Sequence, residues 1–229
     1  MKGPLFKWFG SKWLASKGYP NPRHPVIVEP FAGSAGYACR HATHSVFLRE
    51  SNPMLVDLWT WLIEEATSTA ILDIPIGVPE GTDIRGLGLS DGQALLLKHW
   101  QRTNNYGACW TISPWGDKPG QWTANTRARV ADEVHEVKHW SVGDWHGPAT
   151  WFIDPPYQYN YQYGCKPTDY AALGQWVRGL DGQVIVCEAR CPKTDRIPDW
   201  LPFTDFASRI TSRRKEGQHT HSREVAFIR

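Results

Sequence analysis

Asp154-Pro155-Pro156-Tyr157 is the segment whose residue types and order are best suited to chemistry. It follows the apolar run Trp151-Phe152-Ile153, which reads as the end of a buried strand beginning at Thr150. Two consecutive prolines fix φ and exclude helix, so the loop leaving that strand is rigid. A carboxylate at the C-terminal edge of a parallel sheet, with an aromatic ring three residues on, lies where such sheets bind and transform ligands. The bland alternative is a plain turn capped by an aspartate. The buried strand, the tyrosine and a glycine loop further upstream favour the chemical reading.

That upstream loop is Phe31-Ala32-Gly33-Ser34-Ala35-Gly36, entered from the apolar run Val26 to Glu29. Its Gly33-x-x-Gly36 spacing lets the backbone approach a ligand at the end of a strand. It is neither GxGxxG nor a Walker loop, since no GK[ST] occurs anywhere in the chain. Glu50 follows Gly33 at the tip of the next apolar run, Ser45 to Leu48. A carboxylate there suits ribose hydroxyls in α/β nucleotide sites. It equally suits a helix N-terminal acid, because Asn52 and Pro53 have the types of an N-cap and first helical residue. Both readings of Glu50 stay open on sequence alone.

The elements that must position these residues follow from periodicity. A strand, a glycine loop, a strand over 45–48 and a helix from Pro53 to Ala66, with Leu55, Leu58, Trp59, Leu62 and Ile63 at helical spacing, open a parallel α/β sheet. The pattern returns with the strand Thr150 to Ile153, a helix over Thr168 to Gly179 and a buried strand from Gln183 to Cys187. Two closing strands between Phe203 and Arg229 flank a polar loop. Residues 73–136 have a different texture, with glycines among Trp and Arg and weak apolar periodicity except near Ala94 to Trp100. They read as a loop-rich insertion in a catalytic domain made of 1–72 and 137–229.

The whole chain, 229 residues with a formal net charge of +2, is long enough to bury a substantial core without disulfide or metal staples. No apolar run approaches the roughly 20 residues that span a bilayer, and the first residues lack the apolar stretch of a signal peptide. The five cysteines include no CxxC pair and read as reduced thiols in a cytoplasmic protein, with Cys187 and Cys191 structural. Of the thirteen Trp, eight Tyr and eight Phe, more than half read as bulky core packing, and the others as flat surfaces on which bases or an adenine ring stack. His135 with His139 and His219 with His221 are close pairs. No companion cysteine or HExxH pattern joins them, so no metal is expected.

Taken in order, six segments resemble the Dam-like DNA N6-adenine methyltransferases, which use S-adenosylmethionine. Lys7-Trp8-Phe9-Gly10-Ser11-Lys12 is similar to the family's N-terminal K-W-x-G-x-K element, and Glu29-Pro30-Phe31-Ala32-Gly33-Ser34 to its E-P-F-x-G loop. Glu50-Ser51-Asn52-Pro53 resembles the acidic D-x-N-P segment, and Arg102-Thr103-Asn104-Asn105-Tyr106-Gly107 the polar, aromatic stretch before target recognition. Gly143-Asp144-Trp145 resembles G-D-F, and Asp154 to Tyr157 is D-P-P-Y. Ser11, Glu50 and Trp145 stand where the family usually has Gly, Asp and Phe.

The resemblance implies a Rossmann-like α/β methyltransferase fold: a seven-stranded, mostly parallel sheet with a reversed hairpin at one edge, and 73–136 as a small target-recognition insertion. It implies that Trp8, Gly10, Lys12, Glu29, Pro30, Phe31, Gly33 and Ser34 line the S-adenosylmethionine pocket. Glu50 would hold the ribose, and Asp144 with Trp145 the cofactor's adenine. Asp154, Pro155, Pro156 and Tyr157 would carry catalysis on an adenine turned out of double-stranded DNA. The rivals are another acceptor (cytosine N4, RNA or a nucleotide), a catalytically silent DNA-binding homologue, and an NAD enzyme, the last disfavoured by the missing GxGxxG.

For the DNA itself, charge distribution matters more than the sum. Arg213, Arg214 and Lys215 make the polar loop near the C-terminus basic and able to reach phosphates, with a solvated hairpin tip as the plain alternative. Arg127 and Arg129, near Trp122 and Asn125, are candidates for base or phosphate contacts. No membrane and no obligate protein partner are expected.

Overall fold

The computed structural model describes residues 1–101, 109–113, 121–158, 169–189, 198–201, 207–210 and 224–229. Its strands are β1 (Val26–Glu29), β2 (Ser45–Leu48), β3 (Ser141–Val142), β4 (Ala149–Ile153), β5 (Gly182–Ala189), β6 (Ala207–Ile210) and β7 (Glu224–Ile228). Its α-helices are α1 (Pro53–Thr60), α2 (Ser68–Leu72), α3 (Asp91–Trp100), α4 (Ala124–Glu133) and α5 (Tyr170–Arg178). The chain divides into two compact units. The first comprises Met1–Trp13, Gly33–Thr43 and Glu50–Val142; the second comprises Leu14–Ala32, His44–Arg49 and Gly143–Arg229.

The second unit is an α/β layer structure on a mixed, mostly parallel sheet in the order β2-β1-β4-β5-β7-β6. Strands β2, β1, β4 and β5 run parallel, and β7 and β6 close one edge antiparallel. The expected reversed hairpin is present. Six strands make up this unit's sheet where the resemblance implied seven, because the two-residue β3 belongs to the first unit. Parallel strands need crossovers, and those cover both faces, so the central strands read as continuous apolar runs rather than alternating ones. All five residues of β4 are buried, as are all of β5 after Gly182.

One face of the sheet packs Val28, Trp151, Ile153, Val184, Val186 and Phe227 with Val177 of α5 and Trp200. Each such side chain contributes roughly 1.5–3 kcal/mol by leaving water. On the other face Phe152 meets the Tyr19 ring at 5.3 Å, and the Cys187 Sγ lies 3.4 Å from the Tyr19 hydroxyl. The buried polar pair Thr150 and Gln183 is satisfied there by the Arg23 amide, at 3.1 and 2.9 Å. Helix α5 begins two residues after the expected Thr168, where Asp169 accepts the Ala172 amide at 2.9 Å, and stops at Gly179 as expected.

The first unit is mainly helical. Asn52 caps α1 by accepting the Met54 amide at 3.1 Å, and Pro53 takes the first helical position. The helix expected from Pro53 to Ala66 is α-helical only to Thr60; it passes through a π-turn at Trp61–Glu65 and ends at Ala66. Helix α3 carries a capping box formed by Ser90 and Gln93, and every residue from Ala94 to Trp100 is buried.

Segment 73–136 lies entirely in this unit, together with α1 and α2, and contains more helix than its texture announced. Helix α4 was hidden from the sequence because it is polar: Val130 and Ala131 are its only buried apolar residues. Its Thr123 cap on the Thr126 amide and the i,i+4 bridge from Arg129 to Glu133 stabilise it instead. Among the described residues, no helix is long and apolar enough to cross a membrane.

Candidate functional site

In the first unit, the glycine loop is built around Gly33. Its amide donates to Glu50 Oε2 at 3.0 Å, and its carbonyl accepts the Trp59 indole N–H at 2.8 Å. Its φ of +49° is one that L side chains rarely adopt. A Cβ at this position would stand 2.5 Å from Trp8 Cδ1. At Gly36 a Cβ would stand 2.5 Å from the Trp13 amide nitrogen. The Gly33-x-x-Gly36 spacing is therefore the condition for the loop to lie against the segment that carries Trp8 and Lys12. Ser34 Oγ donates to Ser11 Oγ at 2.8 Å, joining the same two segments.

Lys12 is buried and donates to the Gly10 carbonyl at 2.8 Å, where Gly10 itself has φ +83°. Trp8, Gly10, Lys12, Gly33, Ser34 and Glu50, named from the sequence as cofactor residues, thus share the first unit. Glu50 accepts three backbone amides: Gly33 at Oε2, and Ser51 and Asn52 at Oε1, at 2.8 and 3.0 Å. Its role at the helix N-terminus is present in the structure. Oε2 carries one backbone donor, and a carboxylate oxygen has room for two. The group therefore suits a ribose hydroxyl in donor–acceptor type.

In the second unit, Glu29 is buried at the C-terminal end of β1, and Phe31 packs against the apolar cluster of the sheet. Pro30 is partly buried between them. The next parallel strand, β4, ends at Ile153, so Asp154 leaves the sheet beside β1. Between β1 and β4 the strand order reverses direction, and such a switch point opens a crevice at the carboxyl ends of the strands. Pro155 and Tyr157 are buried, whereas Asp154 and Pro156 are partly exposed.

Asp144 is exposed and pairs with Arg49 at 2.8 Å. Trp145 lies on the Phe47 ring at 4.9 Å, and its buried indole N–H has no hydrogen-bond partner among the described residues. An exposed carboxylate beside an indole fits an adenine amino group in donor–acceptor type.

The structure adds one ionisable group that sequence reasoning missed. Glu188, next to last in β5, is 1% exposed. Its Oε1 accepts the Ala189 amide at 2.8 Å; its Oε2 accepts the Trp200 indole N–H at 3.1 Å and the Gln158 amide at 3.3 Å. Burial first, and the Asp154 charge to a lesser degree, push its carboxyl up to about 7 against these hydrogen bonds. Tyr170, at the start of α5, donates its hydroxyl to the Pro156 carbonyl at 2.7 Å. Burial and then the Glu188 charge push that phenol up to about 12. The available signal was a carboxylate ending the apolar run Val184 to Cys187, in the strand beside the one that ends at Asp154.

Two arginines named as DNA contacts have internal partners in the first unit. Arg129 donates to Gly3 O at 3.3 Å, Pro4 O at 2.9 Å and Glu133 Oε2 at 2.7 Å. Arg127 donates to Ile74 O at 2.9 Å. Helix formation at 124–133 turned both guanidiniums onto the unit's own carbonyls, a placement that sequence spacing does not convey.

Arg213, Arg214 and Lys215, the stretch Arg102 to Gly107, Cys165, Cys191, His219 and His221 lie outside the described residues. Cys39 and Cys187 are buried and Cys109 is exposed, and no group of three or more His, Cys, Asp or Glu among the described residues could hold a metal ion. No protein-family model matches the chain, and no curated protein matches it.

Proposed function

We propose that the chain is an S-adenosylmethionine-dependent methyltransferase of the Rossmann-like type that methylates the N6 amino group of adenine in double-stranded DNA. The observation that carries this reading is the exit of Asp154-Pro155-Pro156-Tyr157 from β4 at the switch point beside β1. The glycine loop that follows β1 and the anchoring of Gly33 by Glu50 are in keeping with a nucleotide-type cofactor.

S-adenosylmethionine supplies a methyl group already carried on a sulfonium leaving group. In this reading Glu50 accepts from the ribose hydroxyls, and Asp144 with Trp145 meets the adenine ring of the cofactor. The resemblance also gives Trp8, Gly10, Lys12, Glu29, Pro30, Phe31, Gly33 and Ser34 to the cofactor.

The chain's own part in the chemistry concerns the acceptor nitrogen. The adenine amino group is a poor nucleophile because its lone pair is delocalised into the ring. Asp154 and the Pro155 carbonyl each accept one N–H, which draws the nitrogen toward tetrahedral geometry and localises the pair. The two prolines hold that carbonyl in place, and Tyr157 stacks on the extruded base. Orientation then supplies much of the acceleration.

A second acceptor class, cytosine N4, RNA or a nucleotide, is favoured by one finding: Arg127 and Arg129 are bonded to the unit's own carbonyls. Separate incubations of methyl-labelled S-adenosylmethionine with mixed-sequence duplex DNA, RNA and free nucleotides, followed by nucleoside analysis, separate the two. Label in N6-methyladenine is the expected result. Label in another nucleoside moves the acceptor, and no label on any nucleic acid overturns the reading.

A further inference from the structure

We propose that Glu188 is a positioning residue for the Asp154–Tyr157 loop, holding it at Gln158 while Tyr170 holds it at Pro156, so that the Asp154 carboxylate and the Pro155 carbonyl keep a fixed presentation. This inference takes its activity readout from the methyltransferase reading.

Prolines at 155 and 156 lack amide hydrogens, so the segment cannot continue a sheet ladder, and its other polar groups must find partners elsewhere. Two hydrogen bonds from elements flanking β4 meet that need. The Gln158 amide reaches Glu188 Oε2 at 3.3 Å, directly after the loop, and the Pro156 carbonyl receives the Tyr170 hydroxyl at 2.7 Å, within it. The supports are themselves braced. Trp200 donates to the same Glu188 oxygen at 3.1 Å, and its ring lies 5.7 Å from that of Tyr170. A Cβ at Gly174 of α5 would stand 2.7 Å from the Trp200 carbonyl, so the helix carrying Tyr170 and the backbone of Trp200 are in close contact.

A carboxylate is the acceptor that matches this set of donors. It receives three N–H groups from Ala189, Trp200 and Gln158, whereas an amide or a protonated acid would turn a donor toward one of them. Among the described residues, the titratable groups that act on Glu188 are Asp154, at the end of β4, and Tyr170, at the start of α5. Burial places the Glu188 titration at about 7, so the loop loses an acceptor as the solution turns mildly acidic. Loop geometry and acceptor nitrogen alignment are thereby coupled to pH near neutrality, and a small misplacement of aligned groups costs large factors in rate.

The test compares the full-length chain with Glu188→Gln. In the wild type, kcat for methyl transfer rises several-fold from about pH 6 to about pH 8 as the carboxylate forms. In Glu188→Gln that rise disappears and kcat falls roughly 10–100-fold, while KM for S-adenosylmethionine stays unchanged. Two measurements need no catalysis. The Trp200 indole N–H resonance, assigned with Trp200→Phe, shifts with a midpoint of about 7 in the wild type only, and Gln158 amide exchange accelerates by about tenfold or more in Glu188→Gln.

Wild-type kcat and an unchanged pH profile in Glu188→Gln overturn the proposal. A wild-type chain that transfers methyl to no acceptor removes the functional reading instead; the resonance and exchange measurements then decide, and a pH-insensitive Trp200 signal with unchanged Gln158 exchange overturns the positioning role. Should Glu188→Gln fail to fold, Tyr170→Phe takes its place. A drop in kcat of roughly 3–10-fold with the pH rise retained supports the two-point hold, and wild-type kcat overturns it.

Discussion

Glu50 Oε2 accepts the Gly33 amide at 3.0 Å, so a carboxylate at the start of α1 sets the position of the glycine loop. Because the same group also receives the Ser51 and Asn52 amides, one side chain organises a helix entrance and a loop together. Glu50→Ala leaves all three donors without this acceptor. A loss of roughly 1–3 kcal/mol in chemical denaturation is expected, the usual scale for hydrogen bonds to a charged group. Calorimetry should show S-adenosylmethionine affinity falling by about tenfold or more in the folded variant. Unchanged affinity would remove Glu50 from the pocket.

Gly33→Ala meets two obstacles at once, a positive φ and the Trp8 ring at 2.5 Å. The backbone part costs about 1–2 kcal/mol and the steric part adds to it. Trp8→Ala in the same chain relieves only the steric part, so a double-mutant cycle on thermal or denaturant stability should give a favourable coupling between the two changes. Additivity would show that Trp8 does not limit the loop.

Asp154→Ala should abolish methyl transfer, by about a hundredfold or more in single-turnover assays, while cofactor binding persists. Full activity in that variant would refute the assignment of Asp154 as the group that orients the acceptor nitrogen.

Arg129 and the basic loop should behave differently. Arg129→Ala leaves Glu133, which is 2% exposed, without its guanidinium partner, and stability should drop by roughly 3 kcal/mol or more. Neutralising Arg213, Arg214 and Lys215 together should lower DNA affinity and flatten its dependence on salt. An unchanged salt slope would take that loop out of the DNA footprint.

Glu188 also makes stability depend on pH. Its carboxyl lies at about 7 in the folded chain against 4.5 for the ordinary group. The native state therefore holds more protons than the unfolded chain between these values, and stability falls as pH rises through that window. The contribution is fully present below about 4.5 and lost above about 7. It amounts to roughly 3 kcal/mol at most. Other carboxylates superimpose their own slopes, so the difference between wild type and Glu188→Gln is the quantity to measure. Denaturant midpoints should show the variant gaining relative to wild type as pH goes from about 5 to about 8; parallel curves would contradict the buried titration.

Short-range chemistry accounts for the elements that were legible from the residues alone. Val26 to Glu29 and Ser45 to Leu48 are strands at the expected residues, and the runs ending at Ile153 and Cys187 are strands longer by one and three residues, because apolar β-prone runs bounded by Gly, Pro and Asp leave few alternatives. The Asn52 cap and Pro53, the Asp169 cap and the rigid exit at Asp154 follow equally from side-chain and φ preferences within four residues.

Which distant groups meet is set by long-range folding. Trp8 against Gly33, Arg129 across Gly3 and Pro4, and Glu188 under Gln158 join residues 25 to more than 120 positions apart. Helix α4 carries no apolar stripe, with only Val130 and Ala131 of its apolar residues buried, and was invisible to periodicity. The boundary between the two units likewise cuts through the glycine loop between Ala32 and Gly33, where no change in composition marks it. Local sequence fixes torsion angles and burial pattern; burial of a charge and the identity of its partner are set by chain reversals that bring remote segments together. The candidate residues on the loops were therefore readable in advance, and the carboxylate that holds the Asp154–Tyr157 loop was not.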